Sequence, residues 1–113
     1  MGYEMYEGQR PRGTKDIVSV RKNGQISFNS KATQSLELKN FKYAYLLFDK
    51  VKDRVGIELS NQRGKGSRKI TIIGGTANIS GSAFFKHFGI IIEKARKREP
   101  NYEEENNMIT FPL

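Results

Sequence analysis

The chain has 113 residues, with 20 Lys and Arg against 12 Asp and Glu, a formal net charge of +8 and a pI near 9.8. That length sets one compact domain as the expectation, and that charge favours polyanionic partners, nucleic acid before an anionic membrane surface. With no cysteine, disulfides and thiolate metal sites are excluded, and no apolar run approaches the ~20 residues that span a bilayer.

The lack of cysteine favours an intracellular, cytoplasmic setting, and the first residues have no apolar segment of the secretory kind. A core built from a chain this short is marginal, which leaves a homodimer open.

Residues 1–16, "MGYEMYEGQRPRGTKD", hold three glycines, one proline and no hydrophobic periodicity. They read as a flexible basic arm in which Arg10 and Arg12 could follow a phosphate backbone; a plain disordered tail is the competing reading. From Ile17 the pattern turns regular. "IVSVRK" places Val18 and Val20 on one strand face, Asn23-Gly24 signals a hairpin, and "QISF" places Ile26 and Phe28 on one face. Asn29-Ser30 can cap a short helix near 30–37, with Ala32 and Leu36 on its apolar side and Leu38 closing the segment.

"YAYLLFDK" is apolar on both faces, which predicts a central strand. After the turn "VKD", the stretch "RVGIEL" sets Val55, Ile57 and Leu59 on one side. Residues 60–69, "SNQRGKGSRK", read as a basic polar loop. "KITII" and "TANIS" form two strands about Gly74-Gly75, and a second short helix follows near 82–88, with Phe84 and Phe88 four apart and Gly89 as its stop. "IIIEKARKREPNY" begins apolar and becomes basic, "EEENN" is a turn, and "MITFPL" is a last strand in which Pro112 suits an end or edge.

The two halves repeat one pattern. Gly24 matches Gly75, Phe28 matches Ile79, and Ser30, Leu36 and Leu38 match Ser82, Phe88 and Ile90; Asp49, Ile57 and Leu59 match Glu103, Phe111 and Leu113. The expected fold is therefore mainly β with two short helices (α+β). Two ββαββ repeats, 17–59 and 70–113, are joined by the loop 60–69 as a swapped-hairpin-like pseudo-dimer barrel. Leu36, Leu38, Leu46, Ile57, Phe84, Phe88 and Ile90 are its expected shared core.

The stretch from Val18 to Leu59 resembles the AbrB swapped-hairpin family of bacterial DNA-binding regulators. Gly24, Gln25, Ile26, Leu36 and Leu38 stand where that family's motif has a turn, a hydrophobic residue and the end of a short helix. There are two departures: Asn29 where the family has Pro at the helix start, and "KNFKY" where it has a Gly-Asp turn. The resemblance implies interlocked copies, here both in one chain as in the tandem MraZ arrangement, a prokaryotic or phage origin, and Arg21 and Lys22 as DNA contacts on the basic first strand and turn.

Other chemistry finds little support. His87 stands alone, without the companions of a triad or a metal set. "RGKGSRK" lacks the Gly-x-x-x-x-Gly-Lys order of a phosphate loop. Glu103 to Glu105 read as a solvated turn. No enzyme and no cofactor is implied. The candidate nucleic-acid contacts are Arg10 and Arg12, then Arg21, Lys22 and Lys31, the loop residues Arg63, Lys65, Arg68 and Lys69, and finally Lys94, Arg96, Lys97 and Arg98. Duplex DNA binding by a small transcriptional regulator is the favoured function. One alternative is a single-stranded DNA or RNA binder with a curved basic and aromatic sheet, in which Tyr43, Tyr45 and Phe48 would stack on bases unless they are core. The other is a protein-interaction or inhibitor domain whose charge only solubilises.

Overall fold

The computed structural model describes residues 15–113; Arg10 and Arg12 lie outside the described residues. The strands are β1 (Val18–Val20), β2 (Gln25–Phe28), β3 (Tyr43–Asp49), β4 (Arg54–Ser60), β5 (Ser67–Lys69), β6 (Thr71–Ile73), β7 (Thr76–Ser80), β8 (Arg96–Arg98), β9 (Asn101–Glu103) and β10 (Met108–Pro112). The helices are α1 (Ser30–Ser35) and α2 (Ser82–His87), with single 3-10 turns at Leu38–Asn40 and Glu104–Asn106.

The strands form two five-stranded antiparallel sheets, in the orders β6-β7-β2-β1-β8 and β5-β3-β4-β10-β9. The first is termed sheet A and the second sheet B. The expectation of a barrel is corrected: both sheets are open, ending at β6 and β8 and at β5 and β9. The strand path is interrupted where closure would need continuity. Between β5 and β6 the chain leaves sheet B for sheet A at Ile70, whose side chain is buried and whose N–H donates to the Lys42 carbonyl at 2.9 Å. Between β8 and β9 stands Pro100, which has no N–H to offer a ladder.

Local chemistry accounts for the first elements. Gly24 takes the positive φ of +91° that the turn after β1 requires. Asn29 starts α1: its Oδ1 accepts from the N–H of Ala32 (2.8 Å) and from the N–H of Ile17 (3.1 Å). The buried Thr33 hydroxyl donates to the Asn29 carbonyl (2.9 Å) and accepts from the N–H of Ala77 (3.1 Å), tying α1 to β7. Each helix is one or two residues shorter than expected and ends at Leu36 or Phe88.

One segment differs from its reading as loop, and another forms a strand where only its charge was noted. Ser67–Lys69, placed in a polar loop, is β5 and pairs with Tyr43, Ala44 and Tyr45 of β3. Arg96–Arg98 is β8 and pairs with β1. Neither has strand-like composition; a neighbouring strand with unpaired backbone groups supplies the reason to extend.

Alternation along the strands builds one core. Val18, Val20, Ile26 and Phe28 from sheet A and Val55, Ile57, Leu59, Ile109 and Phe111 from sheet B are buried together. Burying each large side chain contributes about 1.5–3 kcal/mol. Of the residues expected to share the core, Leu38, Ile57 and Phe84 are buried, whereas Leu36, Leu46, Phe88 and Ile90 pack on its margin half-exposed. Phe88 closes an aromatic cluster there, with ring centroids 5.3 Å from Phe48 and 5.2 Å from Phe84.

β3 is internal, as expected, but its two faces differ. Leu46 and Phe48 face the core, while Leu47 is 45% exposed. Period two therefore separates Tyr43 and Tyr45, half-buried on the outer face of sheet B, from Phe48 on the inner face.

Candidate nucleic-acid interface

Sheet A presents a polar outer face. With Val18, Ile26, Phe28, Ala77 and Ile79 turned to the core, the alternate positions point outward. Cross-strand pairing aligns Thr71, Asn78, Ser27, Ser19 and Lys97 in one row across all its strands. At its centre Asn78 Oδ1 accepts from Gln25 Nε2 (2.9 Å) and Ser27 Oγ (2.7 Å), and Asn78 Nδ2 donates to the Thr76 carbonyl (3.0 Å). These bonds hold the amides in place on a face that offers hydrogen bonds and also carries the exposed Ile73.

A groove of about 560 Å³ opens at one end of this face, between the β1–β2 turn and the segment in which β5 becomes β6. Asn23, Gln25, Asn78 and Thr71 line it together with Ile73, Arg68 and Lys69, and among the described residues no carboxylate lines it. The crossover at Ile70 brings the two cations here, because it carries the chain from the edge of sheet B to sheet A. Such a wall offers charge and neutral donors to an anion and nothing that repels one.

The turn that borders the groove is well held. Its Gly24 N–H donates to the Arg21 carbonyl (2.8 Å), and the Gly24 carbonyl accepts from the N–H of Gly81 (3.0 Å). Arg21 and Lys22 are exposed on it. The loop 61–66 is also anchored. Tyr45 donates its hydroxyl to the Gln62 carbonyl (3.0 Å), and Ser67 Oγ donates to the Gly64 carbonyl (2.8 Å). A Cβ on Gly64 would lie 2.6 Å from Tyr45 Oη. Arg63 and Lys65 are exposed on a loop folded against Tyr45.

The remaining candidates are placed apart. Lys31 is exposed in the first turn of α1, and Lys94 is exposed between α2 and β8. In β8, Lys97 joins the outer row, but Arg96 and Arg98 lie on the other side of the strand and are half-buried. Both donate to the Leu113 carbonyl, from Arg96 Nη1 at 3.2 Å and Arg98 Nη2 at 2.6 Å. Their guanidinium groups are engaged in holding the end of β10. Asn23, Gln25, Thr71 and Asn78 were not among the candidate residues; each strand's polar alternation could have marked Gln25 and Asn78, but nothing in the sequence brings them together with Asn23 and Arg68.

The acidic residues gather elsewhere. Glu58 and Glu103 flank Met108 on the outer face of sheet B, and Glu104 and Glu105 are exposed in the following 3-10 turn. His87 is exposed, its ring against Phe88 at 4.8 Å. Among the described residues, no group of three or more His, Cys, Asp or Glu side chains could hold a metal ion, and no helix is long and apolar enough to cross a membrane. Comparisons with protein-family models, with curated proteins and with solved structures find no match.

Proposed function

We propose that the protein binds nucleic acid, with duplex DNA as the favoured form, through the outer face of sheet A and the groove beside it. The observation that carries this reading is the composition of that groove. Arg68 and Lys69 stand beside amide and hydroxyl side chains and Ile73, with no carboxylate in the wall among the described residues, in a chain of net charge +8. Asn23 brings the held turn to the groove, Arg21 and Lys22 are exposed on that turn, and Arg63 and Lys65 are exposed on the anchored loop. Cations of this kind neutralise phosphates, and the fixed amides offer donors and acceptors to groove edges. Small transcriptional regulation is the role that fits such a module.

We also infer a duplicated ββαββ unit of the AbrB-like kind. In its support, β2 pairs with β7 at the centre of one sheet and β4 with β10 in the other. The β1–β2 turn meets Ser82 at the start of α2, and Gly75 of the β6–β7 turn faces Ser30 at the start of α1.

A single-stranded reading has one specific observation in its favour: Tyr43 lies on an outer sheet face with Lys69 as its cross-strand neighbour, a stacking ring next to a cation. Tyr45 is less suited, since the loop covers it. Filter binding of the full chain to duplex DNA, single-stranded DNA and RNA at two salt concentrations separates these readings. Salt-sensitive binding with duplex preferred is the expected result. A preference for single strands favours the Tyr43 surface, and no binding at low salt rejects both.

A further inference from the structure

The β1–β2 turn has a second side. Opposite the polar groove, it forms with α2 and the chain after it another groove, of about 500 Å³, with Phe85, Ile90, Ile91 and Ile92 in its wall and Lys22 and Lys86 beside them. Among the described residues, no carboxylate lines it. Ile92 is buried and serves the core, but Ile91 is 75% exposed. Core packing therefore explains Ile92 and leaves Ile91 without a role.

The other half of the chain provides an internal comparison. Between α1 and the β6–β7 turn lies a groove of the same volume, about 500 Å³. Counted from the first residue of each helix, Thr33 stands where α2 has Phe85, Gln34 where it has Lys86, and Lys39 where it has Ile91. The groove beside α1 has Ile72 in its wall and carries Glu37 with Lys39, whereas in the groove beside α2 Phe85, Lys86 and Ile91 stand at the matching helix positions and the charged lining residues are Lys22 and Lys86. Phe85 is buried in the core, so of the residues at these matching positions it is the exposed Ile91 that packing leaves unexplained.

We propose that the groove between the β1–β2 turn and α2 is a docking site for a protein partner, namely a short peptide segment that combines apolar anchor residues with carboxylates. Ile90 and Ile91 receive the anchor, and Lys22 and Lys86 pair with the acidic groups. Charge complementarity selects such a segment over a basic or neutral one. The concave shape, walled by a turn on one side and a helix on the other, suits an inserted side chain; a bilayer surface would call for a protruding apolar tip. A phosphate backbone has no use for the isoleucines. The site is separate from the polar groove, although both share the turn, so a partner docked here would sit next to bound nucleic acid.

The test is selection of a phage-displayed library of random dodecapeptides on the full chain, with counter-selection on the Ile91→Asp variant. Ile91 is exposed, so that variant should keep the parent's melting temperature, and this is checked first. The expected winners combine Asp or Glu with Leu, Ile, Phe or Trp. As synthetic peptides they should shift the amide resonances of residues 22–24, 85–86 and 89–92. Ile91→Asp and Lys86→Glu should each weaken binding about tenfold or more, a change that lies well outside measurement scatter. Arg68→Ala/Lys69→Ala should leave peptide affinity unchanged while reducing nucleic-acid binding, so the two sites fail or hold separately. The proposal is overturned by a selection that yields no binders, by winners without acidic residues, or by binding that Ile91→Asp leaves intact. It is equally overturned if phosphatidylserine vesicles or a second copy of the chain, seen by sedimentation, prove to be the Ile91-dependent partner instead.

Discussion

A Cβ atom on Gly24 would stand 2.5 Å from the Cα of Ser82. The turn of the first hairpin and the start of the second helix are thus in backbone contact, and the hydrogen bond from Gly81 to the Gly24 carbonyl secures it. This contact sets the position of both grooves, since the turn is their common wall.

Gly24→Ala should therefore be costly. Its positive φ already penalises a side chain, and the added methyl meets backbone that cannot rotate away; the loss should be about 2–3 kcal/mol. Gly75 has a φ of +81° but only Ser30 Oγ near its virtual Cβ, at 3.9 Å. Gly75→Ala should cost only about 1 kcal/mol, from backbone strain alone. Urea denaturation of the two variants checks the contrast; equal losses would show that the Gly24–Ser82 contact relaxes freely.

Phe111 is fully buried and Phe88 is half-buried. Phe111→Ala should cost about 3–5 kcal/mol, the range for a core phenylalanine. Phe88→Ala should cost roughly half as much, about 1.5–2.5 kcal/mol, because solvent already reaches part of the ring and the cavity opens outward. Equilibrium unfolding measures both. A Phe88 loss under ~1 kcal/mol would show that the aromatic cluster with Phe48 and Phe84 adds nothing to stability.

Asn29 serves two places at once. Its side chain caps α1 and accepts from Ile17, its Nδ2 donates to the Lys15 carbonyl at 2.8 Å, and its own N–H donates to the Ile17 carbonyl at 3.0 Å. Asn29→Ala should cost at least the ~1–2 kcal/mol of a helix cap. Asn29→Pro should cost more, because proline also loses the N–H. Thermal melts of the two variants rank them.

The cations should divide by function. Replacing Arg68 and Lys69 by alanine should flatten the dependence of log binding constant on log salt by about 2 × 0.9 units for duplex DNA, if each meets one phosphate. Replacing Arg96 and Arg98 should leave that slope unchanged and lower stability by about 1–2 kcal/mol, through the lost bonds to the Leu113 carbonyl. Binding titrations across a salt series, with melts of the same variants, read both effects. A slope that follows Arg96 and Arg98 would remove the polar groove from the interface.

Local rules made much of the fold legible. Gly24 and Gly74-Gly75 mark turns because the backbone there takes positive φ. Asn29 marks a helix start because its side chain can reach Ala32. The alternation of valine and isoleucine in β1, β2, β4 and β10 names a buried face because strand side chains repeat every two residues.

What tertiary structure alone decided depends on partners distant in the chain. Ser67–Lys69 and Arg96–Arg98 have no strand signature, and they extend because β3 and β1 offer backbone groups that must be paired. The same pairing gave equal-looking cations unequal fates: Arg68 and Lys69 border a groove, while Arg96 and Arg98 reach the Leu113 carbonyl. The groove itself joins Asn23, Gln25, Asn78 and Arg68, residues that no periodicity links. They meet because strand pairing places β2 beside β7 and because the buried Ile70 turns the chain from one sheet to the other.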